Sequence, residues 1–307
     1  MHIHLLSKKG GFMQITICKT AGLCAGASKA YNLVIDELEK NKKAVVYKEI
    51  LHNEVLINDL IGKGATFING LTQVEKGDKL ILRAHGEEKG VYEELGKNNI
   101  KYIDAMCVNV KRVHDIAIEK QSLGYKIIVV GKIKNGRYHD EIYSLISFLN
   151  NPILITCIED INKVNLEQYN KYFIVSQTTY PLEKFTEIVN KLVEKGSAIG
   201  VQVEYKNTIC NFPLVNIKES IKLAKENDVA IIVGSKNSSN TMELYNAVKD
   251  IVYTIYSNDF DEIVEELKLY VKSQKIDINT LKVCILAGAS TLKNNLSKLK
   301  NMLIIHF

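Results

Sequence analysis

Residues 230–241 read AIIVGSKNSSNT, four apolar residues and a glycine followed by a run of hydroxyls and amides. A short apolar run closed by glycine is a buried strand, and the residues beyond the polar run have helical spacing. The unit is therefore strand, turn, helix. Serine and asparagine suit any turn because their side chains bond the nearby backbone. Ser238, Ser239 and Asn240 are thus either punctuation or one wall of a site, and the other strands decide which.

The same rhythm runs along the chain. Strand-like segments are MQITIC (13–18), KAVVY (43–47), ATFI (65–68), DKLILRA (78–84), IKYIDA (100–105), YKIIVVG (125–131), ILITC (153–157), YFIVS (172–176), DVAIIVG (228–234) and LKVCILAG (281–288). Most are followed by a helical pattern, and alternation of this kind predicts an α/β fold with mostly parallel sheets. The first twelve residues stand apart from it. Strand alternation begins at Met13, so residues 1–12 read as an N-terminal extension and Met13 as the expected start.

Composition narrows the function. The 307 residues are 46% apolar, enough for a large core. No apolar run approaches the roughly 20 residues of a transmembrane helix, and the start is too poor in small residues for a signal peptide. A cytoplasmic protein away from membranes is expected. The net charge of +5 is dispersed, with no basic block, which argues against nucleic acid as partner. Arginine occurs only at Arg83, Arg112 and Arg137. An anion pocket here would rely on neutral donors, histidine, lysine and helix N-termini.

The six cysteines include no CxxC pair, and a cytoplasmic setting argues against disulfides. Cys18, Cys157 and Cys284 fall inside apolar strand runs and read as small buried hydrophobes. Cys24, Cys107 and Cys210 each follow a strand and precede a helix, and a helix N-terminus favours the thiolate that ligates metal. One such cysteine per hundred residues or so suggests three related α/β lobes, 13–106, 107–205 and 206–307. Three thiolates could hold an iron–sulfur cluster lacking its usual fourth cysteine, with one iron open as a Lewis acid. Three unrelated cysteines at helix starts would look the same.

The strand ends supply an independent pattern. His52, His85, His139 with Glu141, Thr178 with Thr179, and Ser290 all sit where strand gives way to helix, as do Ser238 and Asn240. In open parallel sheets that edge is where ligands bind. The polar run at 235–241 would then be part of an anion pocket.

The motifs LCAG, LHNEV, AHG, DAMC, SQTT, TIC, VGSKNSSNT and AGAST occur in the order found in the 4-hydroxy-3-methylbut-2-enyl diphosphate reductase family, which the chain resembles from about Met13 to its C-terminus. GSKNSSN is the most specific of them. The resemblance implies a trefoil of three α/β lobes around a 4Fe-4S cluster held by Cys24, Cys107 and Cys210. It implies reductive loss of the allylic hydroxyl of a small diphosphate, giving isopentenyl and dimethylallyl diphosphate, with ferredoxin or flavodoxin delivering electrons. By matching motifs, His52, His85, His139, Ser238, Ser239, Asn240 and Ser290 would surround the diphosphate. Glu141 would feed protons to the departing hydroxyl, with Thr178 ordering that relay.

The chain also departs from the family pattern. Met106, Val108 and Asn109 surround the second cysteine where the family reads Thr before it and Pro after it. Asp140 replaces Pro between His139 and Glu141, GKIKNGRY before them is long, and NFPLV follows Cys210 in place of small and hydroxyl residues. Two other functions stay open on these residues. One is a paralogous iron–sulfur reductase acting on another small anionic substrate; the other is a cluster-bearing electron carrier or sensor without turnover.

Overall fold

The computed structural model describes residues 13–51, 54–134, 136–234, 239–289 and 291–307, the side chains of Lys134, Ser239 and Asn240 excepted. The chain divides into two compact units, residues 13–24 with Asn211–Phe307, and Ala25–Cys210. The elements begin with β1 (Gln14–Ile17), α1 (Ala25–Asn41), β2 (Ala44–Tyr47), α2 (Glu54–Gly62), β3 (Ala65–Ile68), β4 (Lys79–Leu82), α3 (Lys89–Lys97) and β5 (Lys101–Asp104). They continue with α4 (Val108–Ser122), β6 (Lys126–Val130), β7 (Ile133–Lys134), β8 (Arg137–Tyr138), α5 (Asp140–Ile146), β9 (Ile153–Ile155), β10 (Lys171–Ser176), α6 (Leu182–Ala198) and β11 (Gln202–Tyr205). The last are α7 (Phe212–Ala224), β12 (Val229–Val233), α8 (Ser239–Val248), β13 (Tyr253–Ser257), α9 (Phe260–Gln274), β14 (Lys282–Ala287) and α10 (Lys293–His306).

Among the described residues there are three four-stranded sheets, of orders β3-β2-β4-β5, β11-β10-β6-β9 and β1-β14-β12-β13. Every pairing within them is parallel, as the alternation of strand and helix predicts. The central strands AVVY, KIIVV and VAIIV are buried at every position, because helices cover both faces. Register shows how one sheet serves two cores. Along β6 and β10, Ile128, Val130, Tyr172 and Ile174 pack into one apolar cluster, while Ile127, Val129, Phe173 and Val175 pack into another. Successive side chains of a strand point to opposite faces, so an uninterrupted apolar run is what two cores require.

All ten segments read as strands contain one. Two further strands of the four-stranded sheets, β11 and β13, were not expected, nor was the β7–β8 pair. Strands β11 and β13 are edge strands with partly exposed side chains, QVEY and YTIYS, so neither carries an apolar run. The long GKIKNGRY stretch forms an antiparallel hairpin, Ile133 opposite Tyr138, with Gly136 at φ +74° in its turn. The Asn135-Gly136 dipeptide is the signal for it, since that turn needs positive φ. Asn135 itself lies outside the described residues.

The cysteine division needs one correction. Cys18 and Cys284 are buried in the core of the first unit, but Cys157 is exposed. Strand β9 ends at Ile155, and Thr156 and Cys157 turn outward because Asp160 Oδ2 accepts from both backbone amides and from the Thr156 hydroxyl. An acid three residues after the N-cap Cys157 closes a capping box, a helix-start signal that competes with strand propensity.

Candidate active site

Each sheet has one place where successive connections leave in opposite directions, between β2 and β4, between β6 and β10, and between β12 and β14. Such a switch point opens a crevice beyond the carboxyl ends of the two strands. The candidate residues follow those six strands. His52 follows β2 and His85 follows β4; His139 and Glu141 follow β6, and Thr178 follows β10. Ser238, Ser239 and Asn240 follow β12, and Ser290 follows β14.

In the β6/β10 crevice, His139 is the N-cap of α5 and Glu141 its second residue. The His139 Nδ1 accepts from the Glu141 amide at 3.3 Å, which leaves the proton of the neutral ring on Nε2. Thr178 grips the Glu141 carboxylate at both oxygens, its amide donating at 2.7 Å and its hydroxyl at 2.9 Å. Glu141 is only 3% exposed. Burial pushes its carboxyl up to about 7, against the Thr178 donors and Lys132, which pull it down. A carboxyl poised near neutrality can give up a proton at working pH and take one back. Gln177, fully buried, was missed by sequence reasoning although it lies inside the SQTT motif. Its Oε1 accepts from the Lys132 amide at 2.9 Å and its Nε2 donates to Thr179 Oγ1 at 2.8 Å, fixing the two loops of the crevice to each other.

The β2/β4 crevice adjoins this one in the same unit. The His85 and His139 rings meet edge to face, 5.4 Å between centroids. Gly86, at φ +80°, lets the turn after His85 pack on α5, where a Cβ would lie 2.6 Å from Ser144 Oγ. Ser144 Oγ donates to the Glu87 carbonyl at 2.9 Å. Arg83, two residues before His85, donates to both oxygens of the buried Glu87 at 2.6 and 3.1 Å and to Asp140 Oδ2 at 2.7 Å.

Two of the three helix-start cysteines are tied to these crevices. Cys107, the N-cap of α4, donates its amide to the Ala84 carbonyl at 2.9 Å, beside His85. Cys210 donates its amide to the Thr178 carbonyl at 2.7 Å. Asn109 Nδ2 donates to Cys210 Sγ at 3.3 Å, so the first turn of α4 spans both thiols. Gly26, in the first turn of α1, approaches Cys107 so closely that a Cβ would lie 2.5 Å from its sulfur. Cys24 immediately precedes α1 in the chain and belongs to the other unit. Among the described residues no three His, Cys, Asp or Glu side chains gather closely enough to hold a single metal ion. A soft donor set at helix N-termini, with a glycine kept clear of one sulfur and an amide N–H on another, fits an iron–sulfur cluster, which spreads its thiolates over its own width.

In the first unit the opening stretch resolves as a strand ending at Val233 and α8 beginning at Ser239. Ser239 and Asn240 are therefore the first two residues of a helix, where amides lack intrahelical partners and attract anions. Gly234 and Gly288 close on the buried Thr241 of α8, and either Cβ would collide with its side chain. Thr291 Oγ1 donates to the Val233 carbonyl at 3.1 Å, and Asn216 Nδ2 donates to the Ala287 carbonyl at 3.0 Å. Sequence reasoning missed Asn216, a buried polar residue on the first turns of α7, because nothing in NFPLVNIK marks it. His52, Ser238 and Ser290 lie outside the described residues, as do the side chains of Ser239 and Asn240.

Residues 15–303 match the profile of a family described as LytB protein. A 4-hydroxy-3-methylbut-2-enyl diphosphate reductase from Clostridioides difficile (strain 630) is 31% identical over 285 residues, 91% of this chain and 95% of that one. An enzyme of the same name from Caldanaerobacter subterraneus subsp. tengcongensis is 33% identical over 91% of this chain and 92% of its own. A solved (E)-4-hydroxy-3-methyl-but-2-enyl diphosphate reductase, described as the terminal enzyme of the non-mevalonate pathway, superposes with TM-score 0.79 at 31% identity, covering 94% of this chain and 98% of that one. The solved reductase from Plasmodium falciparum gives TM-score 0.70 at 27% identity, covering 95% and 88%.

Proposed function

The chain belongs to the LytB protein family, and from that premise we propose that it performs the reductive dehydroxylation of (E)-4-hydroxy-3-methylbut-2-enyl diphosphate, the last step of the methylerythritol phosphate route to isoprenoids. Two electrons and two protons enter, water leaves, and isopentenyl and dimethylallyl diphosphate result.

The observation that carries the reading is the buried Glu141 carboxyl, poised near neutrality and gripped by Thr178 at the crevice it shares with His139. The departing hydroxyl needs a proton, and Glu141 supplies it while Thr178 holds the carboxyl in one orientation. His139, with Nδ1 occupied by the helix it caps, offers Nε2–H to the diphosphate, joined by His52, His85, Ser238, Ser239, Asn240 and Ser290. Cys24, Cys107 and Cys210 are the residues that would hold a 4Fe-4S cluster. When bound, that cluster supplies single electrons and an open Lewis-acidic iron for the hydroxyl. Ferredoxin or flavodoxin is the electron donor, and a cytoplasmic setting keeps the thiols reduced.

A second reading, a paralogous reductase acting on another small anionic substrate, is favoured by one contact. Asn109, in place of the family's proline segment, donates to Cys210 Sγ, so the surroundings of that sulfur are this chain's own. An electron carrier without turnover has no use for the Glu141–Thr178 pair. A single-turnover assay with anaerobic, chemically reduced protein decides among them. Release of both five-carbon diphosphates is expected. A reduced protein that leaves the hydroxylated diphosphate intact overturns the reading.

A further inference from the structure

We propose that Arg83 and Asp140 form the positioning device that fixes His139 and Glu141 against His85, a role that rests on the functional reading above. Two triplets interlock at one guanidinium. Arg83 and Glu87 flank His85 by two residues on either side, and Asp140 stands between His139 and Glu141. The guanidinium is committed to Glu87 through Nε at 2.6 Å and Nη2 at 3.1 Å, which leaves Nη1 to reach Asp140 Oδ2 at 2.7 Å. The Arg83 side chain is 7% exposed and that of Glu87 is 0%, whereas Asp140 is 34% exposed. Arg83 is thus a fixed, buried point and Asp140 the movable partner seated on it.

The consequence follows from helix geometry. Asp140 is the first residue of α5, preceded by its cap His139 and followed by Glu141. A clamp on that one residue sets both where the imidazole sits and how the carboxylate meets Thr178. Serine contacts, Ser144 Oγ of α5 to the Glu87 carbonyl at 2.9 Å and the Lys89 amide at the start of α3 to Oγ of Ser147, the C-cap of α5, at 2.8 Å, hold the body and end of the helix and not its first turn. A planar fork with separate donors can serve two carboxylates in fixed directions, which a lysine ammonium cannot.

The test is a double-mutant cycle between Asp140 and Glu141, read in single-turnover rate and in substrate affinity with iron content as control. Asp140→Ala is expected to lower the turnover rate roughly 10- to 100-fold, as a small misplacement of reacting groups does, with iron content unchanged. In the Asp140→Ala background, Glu141→Gln should cost at least about fivefold less than in the parent, because the carboxyl is already misplaced. Arg83→Lys should reproduce the Asp140→Ala effect, and Asp140→Glu should recover part of the rate. Should Asp140→Ala fail to fold, Asp140→Leu, which also lacks an acceptor for Arg83, enters the same cycle. Independent, multiplicative effects of the two substitutions overturn the proposal, as does an unchanged rate in Asp140→Ala or Asp140→Leu. A crystal structure of the anaerobic Asp140→Ala protein separates this idea from the functional reading. If the parent proves inert on the allylic diphosphate but the His85–His139 contact opens in the variant, the positioning role stands alone; an unmoved His139 ends it.

Discussion

Gly26 lies so near Cys107 that a Cβ added to the glycine would sit 2.5 Å from the sulfur and 3.1 Å from the Cys107 Cβ. No side-chain rotation of the glycine can relieve this, and Cys107 is itself held through its amide to Ala84. Gly26→Ala must therefore push the thiol or the first turn of α1 aside. The variant should lose most of its iron and cluster absorbance when purified anaerobically. Gly90→Ala, at a helix position where nothing lies within 4 Å, is the control and should keep both. Full iron content in Gly26→Ala would mean that Cys107 is not a ligand.

The six cysteines separate by environment. Anaerobic protein should hold about four irons per chain, and Cys24→Ser, Cys107→Ser or Cys210→Ser should each strip them. Cys18→Ser, Cys157→Ser and Cys284→Ser should not. Alkylation of the folded holoprotein tests the corrected assignment: the exposed Cys157 should react, while Cys284, whose thiol burial pushes up to about 12, should stay unmodified. Iron loss on changing Cys18 or Cys284, with Cys24 dispensable, would reverse the division.

How much of this was legible in the sequence depends on whether a contact is local. The central strands β2, β4, β6, β10, β12 and β14 were legible because a parallel sheet covered on both faces demands an uninterrupted apolar run, and the edge strands β1, β3, β5 and β9 because MQITIC, ATFI, IKYIDA and ILITC still carry apolar residues. QVEY and YTIYS were not legible because an edge strand is held by its neighbour's backbone and needs no such run. Cys157 was misjudged because the turn made by Asp160 ends the strand before it. That polar residues cluster where strand gives way to helix was legible, while the strand order that makes three of those edges switch points was not. The Arg83–Asp140 pair was not: its members are 57 residues apart, and only the packing of the β4 turn on α5 brings them together.

The anion wall makes a separate prediction. His85 follows β4 and Asn240 stands second in α8, and on the proposed reading each donates to the diphosphate. His85→Ala and Asn240→Ala should each weaken binding of the allylic diphosphate by about 1.5 to 3 kcal/mol, the cost of a lost hydrogen bond to a charged group. Calorimetry on anaerobic protein measures this, with cluster absorbance unchanged as control. The parent should also bind the diphosphate far more tightly than the unphosphorylated alcohol. Equal affinity for the two would remove the anion pocket.

Glu141 gives the sharpest prediction because one carboxyl carries both a stability effect and a rate effect. Its folded value of about 7 lies above the ordinary carboxylate range, so the folded protein holds a proton that the unfolded chain releases near pH 4.5. With more protons bound in the folded state than in the unfolded, stability falls as pH rises from about 4.5 to about 7, and the loss is complete above that. The span sets an upper bound on the order of 3 kcal/mol. Glu141→Gln removes this titration. Its melting temperature, measured against the parent's, should gain between about pH 4.5 and pH 7 and level off above that. The rate follows the same proton. In the parent the single-turnover rate should decline above neutral pH as the donor form is lost, whereas Glu141→Gln should turn over some 100- to 10,000-fold slower with that limb of the profile gone. Substrate should still bind to Glu141→Gln and perturb the cluster spectrum, since the amide keeps the size of the carboxyl and can still accept from Thr178. A variant with the parent's pH–rate profile would move the proton donor elsewhere, and one that no longer binds substrate would make Glu141 a residue of the pocket wall.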